Sequence, residues 1–286
     1  MTASHSPRRA ASAKAAASLA FALAMAALVT SVPAVAHGAL DHQIEQASAA
    51  IMRDPANAEL YVRRGELHRA HGAWDAALDD YRRAAVLAPG DERIDFLRGR
   101  ALQQAGRPES AKVALDRHLA HHPGHVEARI ARGRALRALG QPAAAATDFT
   151  VAIDRSARPD PDIYLERARA QVDAEEVEQA SAGIDAAIAR MGAIPSLQLF
   201  AVELDVGQGR YEAALTRLDA AAARAPRREV WLARRADVLA RAGRPDDANL
   251  AYAAALAAIE TLPPGTRRVP ATAELEARLR RALAAR

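Results

Sequence analysis

The sequence predicts an all-α solenoid, about six helix-turn-helix units stacked side by side. Two observations carry this. Small residues recur at a fixed period: Gly65 returns as Gly99 and Gly133, each 34 residues on. Gly72 returns as Gly106 and Gly140 and then, after one extra residue, the place falls on Glu175, Gly209 and Gly243. Ala77 returns as Ala111, Ala145, Ala180, Ala214 and Ala248, each followed four residues later by a large apolar side chain: Tyr81, Leu115, Phe149, Ile184, Leu218 and Tyr252. Strand signals, in turn, are nearly absent, because Ala, Leu, Arg and Glu dominate and apolar residues never alternate for long. A two-helix unit of this length cannot bury both of its apolar stripes alone, so stacked neighbours must supply a continuous core.

Taken in order, residues 1–36 read as an export signal. Arg8, Arg9 and Lys14 give a positive start, Ala15 to Val32 is an 18-residue uncharged run, and Pro33-Ala34-Val35-Ala36 offers a small-x-small cleavage site. Cleavage after Ala36 would send an exported, periplasmic chain out with His37 first. The alternative is a retained segment, residues 15–32, anchoring the protein in the inner membrane, although its alanine content makes it a weak anchor. Residues 37–57 form an N-terminal cap, with a helix over 40–53 that places Leu40, Ile44, Ala47 and Ile51 on one face and ends at Asp54-Pro55.

Residues 58–262 hold the six units, near 58–91, 92–125, 126–159, 161–194, 195–228 and 229–262. Pro89, Pro123 and Pro226 close three of them. Gly65 and Ala77 belong where the two helices of a unit cross, at an axial separation of about 8 Å that leaves no room for a larger side chain. Ala77→Leu or Ala145→Leu is expected to cost roughly 1–3 kcal/mol by overpacking, read from a thermal melt. The register slips by one residue around Arg155 to Pro161, a bend in the stack rather than a domain boundary. The fourth unit is the weakest, with Ala168 and Glu175 in place of both glycines. Residues 263–286 are a linker and a C-terminal cap, whose helix over 271–285 puts Leu275, Leu279 and Leu283 on one face. An arginine precedes the first-helix small residue in five units: Arg64, Arg98, Arg132, Arg167 and Arg235. An arginine stem covers the apolar hairpin while its head reaches a carboxylate on the second helix, which predicts the pairs Arg64–Asp80 and Arg132–Asp148.

The motif of the first unit, Tyr61, Arg64, Gly65, His68, Ala77, Tyr81 and Pro89, resembles the tetratricopeptide repeat family, and the match extends over about 205 of the 286 residues. The resemblance implies a right-handed superhelix whose first helices line a concave groove, a non-catalytic role, and a protein or peptide partner lying in that groove. It places Arg69, Phe96, Arg100, Gln103, Ile130, Arg134, Arg137, Leu165 and Arg169 on the inward face. Arg100, Arg134 and Arg169 hold one place in three successive units, and such guanidinium groups suit an acidic peptide. In units five and six the inward positions are Leu199, Glu203, Val206, Ala233 and Asp237, a less basic set that suits a more apolar partner. The Lys and Asn pairs of the carboxylate-clamp subfamily are not matched.

Composition narrows the rest. The absence of cysteine removes disulfides, thiolate metal sites, a Cys nucleophile and a lipoprotein anchor. Net charge is +4 over the whole chain; removing Arg8, Arg9 and Lys14 from the 39 basic residues leaves 36 against 35 acidic, a poor balance for nucleic-acid binding. No phosphate loop, HExxH or Gly-x-Ser-x-Gly elbow occurs, so no enzyme activity and no cofactor are expected. The membrane enters only through an uncleaved export segment. The alternative function is a copper-type metal protein using an N-terminal His37, with His42 as the nearest second ligand, or the cluster from His118 to His125, where His118 and His122 stand one helical turn apart.

Overall fold

The computed structural model describes residues 34–285, with side chains from residue 39. The expected export segment lies outside these residues except for its last three, which open the first helix. Among the described residues there are 15 helices and no strand, and no helix is long and apolar enough to cross a membrane. Helix α1 spans Ala34–Arg53 and packs on the first helix of unit one. The six units follow as α2 Ala58–Ala70 with α3 Trp74–Leu87, α4 Arg93–Gln104 with α5 Pro108–His121, and α6 Val126–Ala138 with α7 Pro142–Arg155. Then come α8 Pro161–Asp173 with α9 Val177–Met191, α10 Pro195–Gly207 with α11 Tyr211–Arg224, and α12 Glu229–Arg241 with α13 Pro245–Glu260. A single turn, α14 Pro264–Arg267, leads to α15 Pro270–Ala284.

The period works through two devices. Between the helices of five units a glycine takes a left-handed backbone, with φ between +69° and +80° at Gly72, Gly106, Gly140, Gly209 and Gly243. The next residue then folds its N–H back onto the ending helix, as in Ala73 to the His68 carbonyl at 2.8 Å and Arg107 to the Leu102 carbonyl at 2.9 Å, which satisfies carbonyls that the helix end leaves unpaired. Unit four keeps this geometry without the glycine: Glu175 stands at φ +62°. Glu175→Gly is therefore expected to stabilise the protein by about 1 kcal/mol, because a Cβ in the left-handed region meets the following carbonyl oxygen. A higher urea midpoint checks it; an unchanged or lower midpoint would mean that the glutamate is not strained.

The second device is the helix crossing. A Cβ on Gly65 would stand 2.6 Å from the Tyr81 ring, on Gly99 2.5 Å from Leu115 Cγ, and on Gly133 2.9 Å from the Phe149 ring. Ala77 and Ala145 are fully buried beside them. The apolar stripes thus form four successive core clusters along the stack, in which Tyr81, Leu115, Phe149, Ile184, Leu218 and Ile259 are completely enclosed.

Arginine–carboxylate pairs join the two helices in units one and three. Arg64 donates to Asp80 through Nε at 2.9 Å and Nη2 at 2.6 Å, and Arg132 donates to Asp148 through Nε and Nη2, both at 2.7 Å. In unit four the place of Asp80 and Asp148 is taken by Gly183. Arg167 there makes only a 3.4 Å bond to the Gly183 carbonyl, and its Nε is buried without a partner. Arg235 uses Asp219 of the preceding unit instead, at 2.7 Å. At the C-terminal end, α15 closes the stack against α13 with Leu279 fully buried and Leu275 packed beside it. Arg227 ties the cap down, donating to Glu229 at 2.6 Å and to Thr272 Oγ1 at 2.9 Å.

Candidate groove of the first helices

The first helix of each unit carries polar side chains at a repeating place one turn apart from its core stripe. Along the stack that place reads Glu66, Arg100, Arg134, Arg169, Glu203 and Asp237. Arg100, Gln103, Ile130 and Arg134 come together on one cleft of about 310 Å³ between α4, α6 and the start of α8. Arg134 and Arg137 share a second, of about 300 Å³, with Glu166 and Asp173. Four of the expected groove residues are thus brought together, and Arg137 adjoins them.

The arginines among them are paired with carboxylates of the same chain. Arg69 donates to Glu66 twice at 3.2 Å and to Gln104 Oε1 at 3.2 Å. Arg100 donates to the same Glu66 at 2.5 Å. Arg134 grips Glu166 through Nη2 at 2.6 Å and Nε at 2.9 Å, and Arg137 reaches Asp173 at 2.6 Å. Burial alone would raise the Glu66 carboxyl, but hydrogen bonds from Arg69, Tyr81 and Arg100 outweigh it and hold the group below its usual range. Arg134 is held above its usual range, first by its bonds to Glu166. Arg169 differs. It lies 5.7 Å from the centroid of the Phe200 ring and has no carboxylate partner among the described residues.

Two placements differ from the sequence expectation. Leu165 is only 5% exposed and belongs to the core shared by units three to five, so it presents no surface to a partner. Ala233 is 1% exposed, packed beneath the C-terminal cap. The groove position there is its neighbour Arg234, which joins Leu199, Val202, Glu203, Val206, Asp237, Val238 and Arg241 around a cleft of about 330 Å³ between α10 and α12. Both misplacements have one cause: the groove edge of the apolar stripe drifts between units, so equivalent positions differ in depth. The counter-charges Glu66, Glu166 and Asp173 were not singled out either, though Glu66 holds the place of Arg100 one repeat earlier.

The histidine cluster sits elsewhere, where α5 turns into α6. His118 is 5% exposed. Its Nδ1 lies 3.0 Å from the Glu92 carbonyl oxygen and its Nε2 lies 2.7 Å from His125 Nδ1. A carbonyl only accepts, so His118 carries a proton on Nδ1, and its Nε2 shares one further proton with His125 Nδ1, either ring serving as donor. His122 faces the Glu92 carboxylate at 2.7 Å, and half-buried Phe96 packs on the His118 and His125 rings, 5.5 and 4.6 Å between centroids, with the Arg100 guanidinium 5.1 Å from its own centroid. No three His, Cys, Asp or Glu side chains are grouped to hold a metal among the described residues. His42 is exposed and bonded to Gln46 at 2.9 Å, and the side chain of His37 lies outside the described residues.

This arrangement makes a pH prediction. Burial pushes His125 below its usual pKa of 6.5, and His118 beside it acts the same way, while Glu127 opposes. The unfolded chain therefore takes up a proton at a higher pH than the folded one, so stability is full above about pH 6.5 and falls as pH drops below it. Urea unfolding at pH 7.5 and 5.5 is expected to show this loss, and His125→Gln to reduce it. Equal loss in the variant would assign the pH dependence to other groups.

Models of the tetratricopeptide repeat match residues 44–92 and 96–162, and a tetratricopeptide repeat-like domain model matches residues 161–269. No curated protein matches the sequence. Among solved structures, a tetratricopeptide repeat protein from Parabacteroides merdae aligns with a TM-score of 0.56 at 19% identity, over 86% of this chain and 94% of that one. The C-terminal part of a repeat-containing protein from Cytophaga hutchinsonii aligns with a TM-score of 0.62 at 15% identity, over 78% and 92%. PilW, a type IV pilus biogenesis factor, aligns with a TM-score of 0.55 at 20% identity, over 65% and 86%. At these identities the likeness is one of fold.

Proposed function

Because this chain belongs to the tetratricopeptide repeat family, we propose that it is a non-catalytic scaffold of the bacterial cell envelope that holds a peptide or partner protein along the groove of its first helices. The observation that carries this reading is the row of clefts, about 310 Å³ between α4, α6 and α8 and about 330 Å³ between α10 and α12, all lined by first helices. Each combines an apolar floor with charged side chains on the rim, which is the composition of a recognition surface. The basic start and uncharged run of residues 8–32 support export. The arginines at 100, 134 and 137 enter this reading as mixed-charge positions: an acidic partner exchanges with Glu66, Glu166 and Asp173 instead of meeting bare cations.

A photo-crosslinking residue placed at Gln103 or at Val206, in living cells, tests it against a control at Val113, which is 55% exposed on α5. A discrete adduct from a groove position and none from Val113 is the expected result. Equal smears from all three positions, or no adduct from either groove position, would refute the scaffold reading.

A further inference from the structure

The free charge of the groove and its apolar pocket coincide at the C-terminal half. In units one to three the groove arginines are occupied by Glu66, Glu166 and Asp173. Further along, Arg169, Arg234 and Arg241 make no hydrogen bond or ion pair among the described residues, and Arg234 and Arg241 line the cleft between α10 and α12. The floor of that cleft is Leu199, Val202, Val206 and Val238. Of its two carboxylates, Asp237 is already taken, accepting from Arg278 at 2.9 and 3.0 Å and from the Tyr252 hydroxyl at 3.0 Å. Glu203 alone is unpaired, against three unpaired guanidinium groups.

Resting on the scaffold reading above, we propose that the α8–α10–α12 face is the principal docking surface, and that its occupant is a linear segment of a partner protein in which an apolar side chain is flanked by carboxylates. The apolar side chain enters the cleft between α10 and α12, and removal of its surface from water supplies the anchor. The flanking carboxylates meet Arg234 and Arg241 on one side and Arg169 on the other through charge-assisted bonds that need not first displace a carboxylate of this chain. That difference decides between the two halves of the groove. An incoming acid at Arg134 must break a two-pronged pair with Glu166, whereas one at Arg234 breaks nothing. Glu203 sits between these cations and sets the register, since an acid opposite it would be repelled.

The test is selection from a phage-displayed library of random dodecapeptides on the full-length protein, followed by rebinding of the enriched clones to variants whose melting curves match the wild type. The expected result is enrichment of acidic–apolar–acidic sequences whose recovery falls about tenfold or more, equivalent to about 1.4 kcal/mol or more, on Arg234→Gln with Arg241→Gln or on Val206→Glu, and is unaltered by Arg134→Gln. Enriched peptides that depend on Arg134 and ignore Arg234, Arg241 and Val206 would overturn this inference and leave the scaffold reading standing. No enrichment over a protein-free surface would overturn both. Sedimentation of the wild type and of Val206→Glu closes the remaining route: a wild-type dimer that the substitution dissolves would show that a second copy of the chain fills the cleft, and would also overturn the inference.

Discussion

Asp148→Ala is expected to lower the unfolding free energy by about 3–5 kcal/mol, because it removes one side of a buried ion pair and leaves the other charged. The Asp148 side chain is 2% exposed and accepts from Arg129 Nη1 at 2.8 Å and from Arg132 Nε and Nη2 at 2.7 Å. Two guanidinium groups converge on it from α6, so it joins the two helices of unit three. Both keep some other partner after the substitution: Asp116 holds Arg132 Nη1 at 2.7 Å, and the Pro123 carbonyl accepts from Arg129 at 2.9 and 3.0 Å. Those remaining bonds place the expected loss toward the lower end of the range. Asp148→Leu combined with Arg132→Leu is expected to lose less than Asp148→Ala alone, since no stranded charge stays behind on that arm. Urea unfolding of the three proteins measures this. A loss under about 1 kcal/mol for Asp148→Ala would show that the pair behaves as a solvated surface bridge.

Gly183→Asp is expected to act in the opposite sense, raising stability by about 2 kcal/mol: a charge-assisted hydrogen bond contributes about 1.5–3 kcal/mol, and loss of a mid-helix glycine contributes a further fraction. Unit four has the arginine of its neighbours without the carboxylate. Burial depresses the pKa of Arg167, the Tyr164 ring lies 5.6 Å from its guanidinium carbon, and its Nε has no acceptor. A Cβ at Gly183 would stand 2.7 Å from Arg167 Nη2, the far end of a flexible side chain, so the arginine must swing slightly as it takes up the new carboxylate. The gain should disappear in an Arg167→Met background, because without the guanidinium the new aspartate is a half-buried acid with no partner. Stabilisation that survives in that background would trace the effect to helix propensity alone.

These two positions also show which interactions a sequence can disclose. Arg64–Asp80 and Arg132–Asp148 join residues 16 apart within one hairpin. The hairpin is fixed by the crossing of Gly65 on Tyr81 and of Gly133 on Phe149, so an arginine beside the glycine and an acid beside the aromatic have nowhere else to meet. The absence of an acid at Gly183 was visible in the same way. So were the helix boundaries inside each unit, because the turn between its two helices holds a left-handed residue, a repeating glycine in five units and a strained Glu175 in the fourth.

The sequence by itself determined the all-helical repeat architecture, the phase of its six units and the ion pairs Arg64–Asp80 and Arg132–Asp148, all consequences of contacts between residues near in the chain. Only the tertiary structure decided the electrostatic state of the groove. Its bonds join residues 32 to 36 apart: Arg134 to Glu166, Arg100 to Glu66, Arg137 to Asp173. They run between units, carried by long side chains with several rotamers, and the stacking of one unit on the next selects which carboxylate each arginine reaches. The same stacking buries Leu165 and Ala233 where the repeat would expose them, encloses His118 against His125, and leaves Arg169, Arg234 and Arg241 as the groove cations without a partner among the described residues.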